Sequence, residues 1–279
     1  MRSFVISLQH AAERRKHIVN EFGNQGVEFE FFDAITPEQN LVQAQNLGIN
    51  LTNTVLGPGE VACLLSHVSL WQHAITQQIP YVTIFEDDVF LGKNAADFLN
   101  QDQWIPAGCD VIKLEGFSSY IFTSVRPTHY LPFCRRLYQL KHKHMGAAGY
   151  ILSLHAAGVL LDYVQQHTPL RPIDHIVFDD YVLCEGMPVM QMMPAICMQD
   201  YILHGQDNRH NALPSYLEQD RLDIRKVFPK FKTVSDESIA SKLGVLDKLK
   251  REIWRFVQQV MNLHKIIINK LSRKKVLFQ

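Results

Sequence analysis

The sequence has no Cys-x-x-Cys pair, no internal repeat and no low-complexity tract. It also lacks an uninterrupted apolar run of about 18 residues, so no transmembrane helix is expected. Cys63, Cys109, Cys134, Cys184 and Cys197 are odd in number and widely scattered. That spacing argues against a disulfide framework or a thiolate zinc site and favours reduced thiols in the cytosol. The first eight residues are too short for a secretory signal, with charges following at Glu13, Arg14 and Arg15. Net charge is missing too, with 28 basic and 28 acidic residues, but the balance hides an asymmetry. Residues 240–279 hold ten Lys/Arg and two Asp/Glu, a net of +8 set against −8 over the rest. An acidic body with a basic tail suggests a tail that meets an anionic surface. It disfavours a nucleic-acid binder, whose basic residues would line the body.

What is present reads as an ordinary globular protein, 47% apolar and 20% charged. SFVISL predicts a buried strand, AAERRKHIVNEFGNQG a helix closed by Gly23 or Gly26, and VEFEFFDAI a second strand. A β-α-β opening of this kind builds parallel sheets. Residues 36–58, with Pro37 and Pro58, predict loop and short helix, and GEVACLLSHVSLWQHAITQQ predicts a long helix. YVTIFEDDVFL and CDVIKLEG read as strands that end in acids, with the helix AADFLNQD between them. GAAGYILS predicts a turn and strand, and LHAAGVLLDYVQQHT a helix. The alternation stops near residue 200. The expectation is one α/β domain over 1–210 and a basic helical extension over 211–279.

The stretch YVTIFEDDVFLG sets Glu86, Asp87 and Asp88 at the C-terminal end of its strand. Unpaired buried carboxylates are costly and neighbours repel, so such a cluster is either solvated or holds something positive. Ligands of open α/β sheets bind beyond the carboxyl ends of the strands. Alternation puts Glu86 and Asp88 on one side and Asp87 on the other. Two carboxylates on one side suit a hard cation such as Mg²⁺ or Mn²⁺, with a diphosphate completing its shell. Arg14 and Arg15 follow the first strand at a helix start, where guanidinium and backbone N–H groups meet phosphate; a solvated helix face is the alternative. A glycoside hydrolase also uses two carboxylates, but on opposite sides of a sugar rather than adjacent on one strand.

The ordered segments VISLQHAAERR, FEFFDA, GEVACLLSHVSLWQHA, IPYVTIFEDDVFLG, GAAGYILS and EGMPVMQMMPAICMQ span roughly residues 2–205. Together they resemble glycosyltransferase family 25, the lipooligosaccharide biosynthesis group, and in particular its bacterial β-1,4-galactosyltransferases. The resemblance implies a GT-A (Rossmann-like) nucleotide-sugar-binding domain, UDP-galactose as donor, and Mn²⁺ or Mg²⁺. It implies that EDD is the family's Asp-x-Asp motif. Asp88 would ligate the metal, Glu86 would touch ribose or reach the metal through water, and Asp87 would support the loop. Asp33 falls at the family position near the base or ribose, with a turn cap as its alternative. Ser66 and His67 fall on the helix beside the nucleotide; a core histidine is the alternative for His67, and Trp71 reads as packing. His204 is the implied third metal ligand, although the family usually arranges its histidines in this loop differently. Gly146 and Gly149 would let backbone approach the sugar. Ala147 replaces the commoner Thr and removes a hydroxyl from sugar recognition. UDP-glucose, another sugar nucleotide, or a non-catalytic nucleotide-sugar binder remain the alternatives.

The galactosyltransferases of this group invert the anomeric centre, which implies a general base near the acceptor hydroxyl. Asp174, Asp179, Asp180 and Glu185 are the candidates. Asp174, where the family pattern also carries an Asp, is favoured over an N-cap role, with Glu185 second. Glu115 and Gly116 are expected on the acceptor side. In the tail, Leu246, Leu249, Ile253, Phe256, Val257, Val260 and Leu263 recur at helical intervals between basic residues. That helix is expected to lie on an anionic membrane, with packing on the domain as the alternative. Such a placement suits a cytoplasmic enzyme at the inner face of the cytoplasmic membrane. Its acceptor would be a lipid-linked oligosaccharide ending in N-acetylglucosamine or glucose.

Overall fold

The computed structural model describes residues 1–117, 120–142, 144–180, 187–204 and 270–279. Its centre is an eight-stranded mixed sheet in the order β2-β1-β3-β9-β5-β10-β8-β7. β1 (Arg2–Ser7) leads into α1 (Ala12–Gln25) and returns as β2 (Glu30–Asp33), parallel to β1 as the opening predicts. Gly26 ends α1 in the left-handed conformation at φ 66°, and the Val27 N–H returns to the Phe22 carbonyl at 2.9 Å. That is how a helix turns sharply back toward a sheet, and glycine takes the conformation without strain. After α2 (Asn40–Asn46), α3 (Pro58–Thr76) starts with Pro58 in its first turn, and Glu60 accepts the Gly57 N–H at 3.1 Å. α3 delivers the chain to β3 (Tyr81–Glu86), parallel to β1.

Beyond its parallel opening the sheet becomes mixed. β9 (Gly149–Ser153) inserts antiparallel between β3 and β5 (Val111–Lys113). β10 (Val189–Met193) resumes parallel to β5, and β8 (Arg136–Gln139) with β7 (His129–Tyr130) closes the far edge antiparallel. A small second ribbon pairs β4 (Val89–Leu91) with β11 (Cys197–Gln199). The α/β class of the expectation holds, with a mixed sheet as its frame.

Two apolar clusters cover the two faces of this sheet. Phe4 and Ile6 of β1, Val82 and Ile84 of β3, and Tyr150 and Leu152 of β9 join one with α3 and α5 (Leu154–Gln166). Val5, Phe85 and Ile151, one step along the same strands, join the other with Phe22 of α1 and Phe98 of α4 (Ala95–Leu99). Alternation along a strand produces this split, and burial of both faces supplies most of the driving force.

The last ten residues correct the expectation of an uninterrupted helical tail. Arg273–Lys275 form β12, antiparallel to β6 (Tyr120–Phe122), and Val276 is buried in the first apolar cluster. The Arg273 guanidinium lies 4.1 Å from the Tyr120 ring centre and the Lys274 ammonium 5.0 Å from that of Tyr138. These two basic residues of the tail therefore face aromatic rings of the domain. The amphipathic stretch 246–263 lies outside the described residues. No helix among the described residues is long and apolar enough to cross a membrane.

Candidate active site

β1, β2 and β3 end together, with Ile6 opposite Glu86 and Ser7 opposite Asp33. The turn after β3 adds Asp87 and Asp88 before β4 leaves at Val89. The three acids take different partners. Asp87 is buried; it accepts the Ser7 hydroxyl at 2.6 Å on Oδ2 and pairs with Arg14 through Oδ1. Glu86 and Asp88 instead share the Gln199 amide, whose Nε2 donates to Glu86 Oε2 at 3.1 Å and to Asp88 Oδ1 at 3.3 Å. β11 holds Gln199 opposite Val89, and the Asp200 N–H closes on the Asp88 carbonyl at 2.8 Å.

Charge is not balanced here. Burial, and then the neighbouring Glu86 carboxylate, push the Asp88 pKa up to about 7, against the pull of Arg14, whose Nη2 is 3.7 Å from Asp88 Oδ2. For Arg14, burial works against the charged guanidinium, but Asp87 and Asp88 outweigh it and raise its pKa. Two oxygen donors crowded until one favours its proton form a set that a divalent cation would relieve, and the hard oxygens match Mg²⁺ or Mn²⁺. Arg14 and Arg15, expected at a phosphate, are engaged with protein groups. Arg14 sits on the acids. Arg15 donates to the Leu8 carbonyl at 3.1 Å and the Ser7 carbonyl at 3.0 Å, and it pairs with Asp33. Two sequence candidates, Arg15 and Asp33, are thus brought together.

Ser66 and the two glycines differ from expectation. Ser66 is fully buried, its hydroxyl donating to the Ala62 carbonyl at 2.8 Å and accepting the Ile35 N–H at 2.8 Å. It ties α3 to the segment after β2. A Cβ on Gly149 would overlap Cys197 Sγ, and one on Gly146 (φ +81°) would lie 2.7 Å from both Glu115 oxygens. A side chain at either position would overlap protein groups, so packing already requires glycine at both.

His67 is fully buried, and that burial lowers its pKa to about 3, although the nearby Asp174 charge favours protonation. Its Nδ1 is 2.8 Å from the Tyr150 hydroxyl, which also accepts the Trp71 indole N–H at 3.2 Å. Its Nε2 is 3.9 Å from Glu86 Oε1. Cys63, His67 and Glu86 bring potential ligand atoms within 4.8 Å of one another, the one such triple among the described residues. Asp88, Glu86 and His204 do not form such a group. His204 is turned to Asp200 Oδ1 at 2.8 Å and sets its ring edge-on to Phe90.

Asp174 lies in the first turn of α6 (Ile173–His175) behind an N-cap Pro172. It accepts the Gly146 N–H at 3.1 Å and the His175 N–H at 2.9 Å. Asp179 and Asp180, the other described candidates for the base, are held by Arg171, and Asp180 also accepts the Tyr163 hydroxyl at 3.0 Å. Glu185 lies outside the described residues. Glu115 is buried beside Lys113, which donates to its Oε2 at 3.2 Å and to the Met145 carbonyl at 3.0 Å. Burial raises the Glu115 pKa despite this lysine. Sequence reasoning missed Ser7, Gln199, Cys63 and Lys113. Ser7 was legible as the polar end of an apolar strand; Gln199 had no local signal, because only β4–β11 pairing brings it to the acids.

Residues 1–177 match the family pattern described as Glycosyltransferase family 25 (LPS biosynthesis protein). The lacto-N-neotetraose biosynthesis glycosyltransferase LgtB of Neisseria meningitidis serogroup B is 40% identical over 236 residues, covering 81% of this chain and 85% of that protein. The lipooligosaccharide biosynthesis protein lic2B of Haemophilus influenzae is 34% identical over 264 residues, covering 91% of this chain and 94% of that protein. Among solved structures, a glycosyltransferase involved in glycosylation of the major capsid of PBCV-1 aligns at 10% identity and a TM-score of 0.38. That alignment covers 81% of this chain and 100% of that one, and it is too distant a likeness to bear on the site.

Proposed function

The chain belongs to glycosyltransferase family 25, and from that premise we propose that it transfers galactose from UDP-galactose to a terminal N-acetylglucosamine or glucose of a lipooligosaccharide acceptor, with inversion and with a divalent cation. The observation that carries this reading is the pair Glu86 and Asp88, gathered on one Gln199 amide at the end of β3. Glu86 and Asp88 would hold the cation, Mn²⁺ or Mg²⁺. His204 is the proposed third ligand; its Nδ1 is hydrogen-bonded to Asp200, and its ring would have to join the two carboxylates on ion binding, since the three are not gathered in this structure. When bound, the cation offsets negative charge that develops on the diphosphate as the glycosidic bond breaks.

The chain's own residues do the rest. Arg14 and Ser7 fix Asp87, which keeps the turn in the shape that presents Asp88. Asp174 is the general base. Two backbone N–H groups fix its carboxylate, and each oxygen keeps a further lone pair for an acceptor hydroxyl. The acceptor is lipid-linked, and the basic stretch of the tail would hold the enzyme at an anionic membrane surface.

UDP release, measured with UDP-galactose and UDP-glucose, with and without Mn²⁺ and an N-acetylglucosamine acceptor, tests the reading. Acceptor-stimulated release that needs Mn²⁺ and falls at least about a hundredfold in Asp88→Ala is the expected result. Turnover indifferent to chelator and to that substitution would sink it. Higher turnover with UDP-glucose would change the donor and leave the transferase standing.

A further inference from the structure

Trp71, Tyr150 and His67 are all fully buried and form a line that ends at Glu86. The direction of its protons follows from elementary chemistry. An indole nitrogen only donates, so the Tyr150 oxygen accepts from Trp71. The single Tyr150 proton then has one acceptor among the described residues, His67 Nδ1 at 2.8 Å. A neutral imidazole carries one N–H, and with Nδ1 accepting, that N–H is on Nε2. This N–H has no hydrogen-bond partner among the described residues, and the Glu86 carboxylate oxygen before it is 3.9 Å away, beyond hydrogen-bond reach.

A buried donor kept without an acceptor is costly, and native folds keep few of them. The same proton order argues against reading Cys63, His67 and Glu86 as a metal centre, because a ligating Nε2 must be bare. We propose that Trp71, Tyr150 and His67 are a positioning chain, its terminal Nε2–H reserved for the Glu86 carboxylate and closing on it when the donor nucleotide and its cation engage Glu86. This rests on Glu86 belonging to the donor site. His67 and Tyr150 touch no reacting atom in this scheme. They aim a carboxylate, as outer hydrogen-bond partners of ligating groups do.

The test uses full-length protein labelled with ¹⁵N-histidine. Long-range ¹H–¹⁵N spectra report the tautomer, His67 being assigned by its loss in His67→Gln, and calorimetry measures binding of UDP in the presence of MnCl₂. The expected spectrum has the proton on Nε2 in the wild type and a mixture of tautomers in Tyr150→Phe, which keeps the packing. Tyr150→Phe is expected to bind UDP with Mn²⁺ about tenfold more weakly. His67→Gln, which retains an N–H donor, is expected to bind more tightly than His67→Leu. A wild-type proton on Nδ1, or a thiolate-to-cobalt band when CoCl₂ is added, overturns the chain. So does equal binding by wild type and a folded Tyr150→Phe. Wild-type protein that binds no UDP at all with MnCl₂ removes the donor reading instead, and the positioning role with it.

Discussion

Two acidic groups lie a few strands apart in this sheet and are treated in opposite ways. Glu115, between β5 and β9, is buried with Lys113 as its counter-ion and the Ala148 N–H as a second donor to the same oxygen. The acids after β3 are divided. Asp87 receives Arg14 and Ser7, whereas Asp88 is left crowded against Glu86 until its pKa climbs to about 7. A buried carboxylate that already has its cation is architecture. One that keeps no more than a share of Arg14 at 3.7 Å, at the carboxyl end of a parallel strand, is poised for a ligand.

The largest effect should come from breaking the completed pair. Lys113→Met strips Glu115 of its counter-ion and should cost about 3–5 kcal/mol in urea unfolding, with most of the loss recovered in the double variant carrying Glu115→Gln. An unchanged midpoint in the single variant would mean that Glu115 is already neutral. Next, Asp87→Asn and Asp88→Asn should shift stability in opposite directions. Asp87→Asn weakens charged hydrogen bonds and should lose about 1–3 kcal/mol.

For Asp88 the sign follows from linkage. Its folded pKa of about 7 lies above the unfolded value of about 3.9, so the folded state holds a proton that the unfolded state has released between those values. Stability therefore falls as pH rises through that window, and Asp88→Asn should abolish the slope. In thermal melts without divalent ions, the variant should melt at least about 3 °C above wild type at pH 8 and equal it near pH 4. Mn²⁺ should raise the wild-type melting temperature more at pH 8 than at pH 5, since the ion and the proton compete for Asp88. Parallel wild-type and variant curves would contradict the crowding at Asp88. The smallest effect sharpens the contrast: Ser66→Ala leaves the Ile35 N–H without its acceptor and should cost about 1 kcal/mol, with no change in UDP binding.

Much of this was legible in the chain. The β-α-β opening, the apolar run of α3 and the triplet after YVTIF are local patterns, and local periodicity is what a sequence displays. The partners of those acids were harder to see. Gln199 follows the triplet by more than a hundred residues, 113 beyond Glu86. Only strand register brings them together. Ser66 looked like a donor-site residue because its helix runs beside the site, yet its hydroxyl is used on Ile35 and Ala62. Gly149 looked open to sugar, but its smallness answers to Cys197, a neighbour that sequence spacing cannot reveal. The antiparallel insertion of β9 was equally hidden, because a fully buried strand reads the same in either direction.

The pairing of β6 with β12 has a consequence for how this protein comes into being. Thr123 hydrogen-bonds to Ser272 across 149 residues of chain. A ribosome adding roughly 5–20 residues per second needs on the order of 10–30 seconds to cover such a distance. For that time β6 has been made and its partner has not. Nascent protein therefore carries an open strand edge, a site where chains join wrongly. That exposure lasts until Arg273–Lys275 have been made.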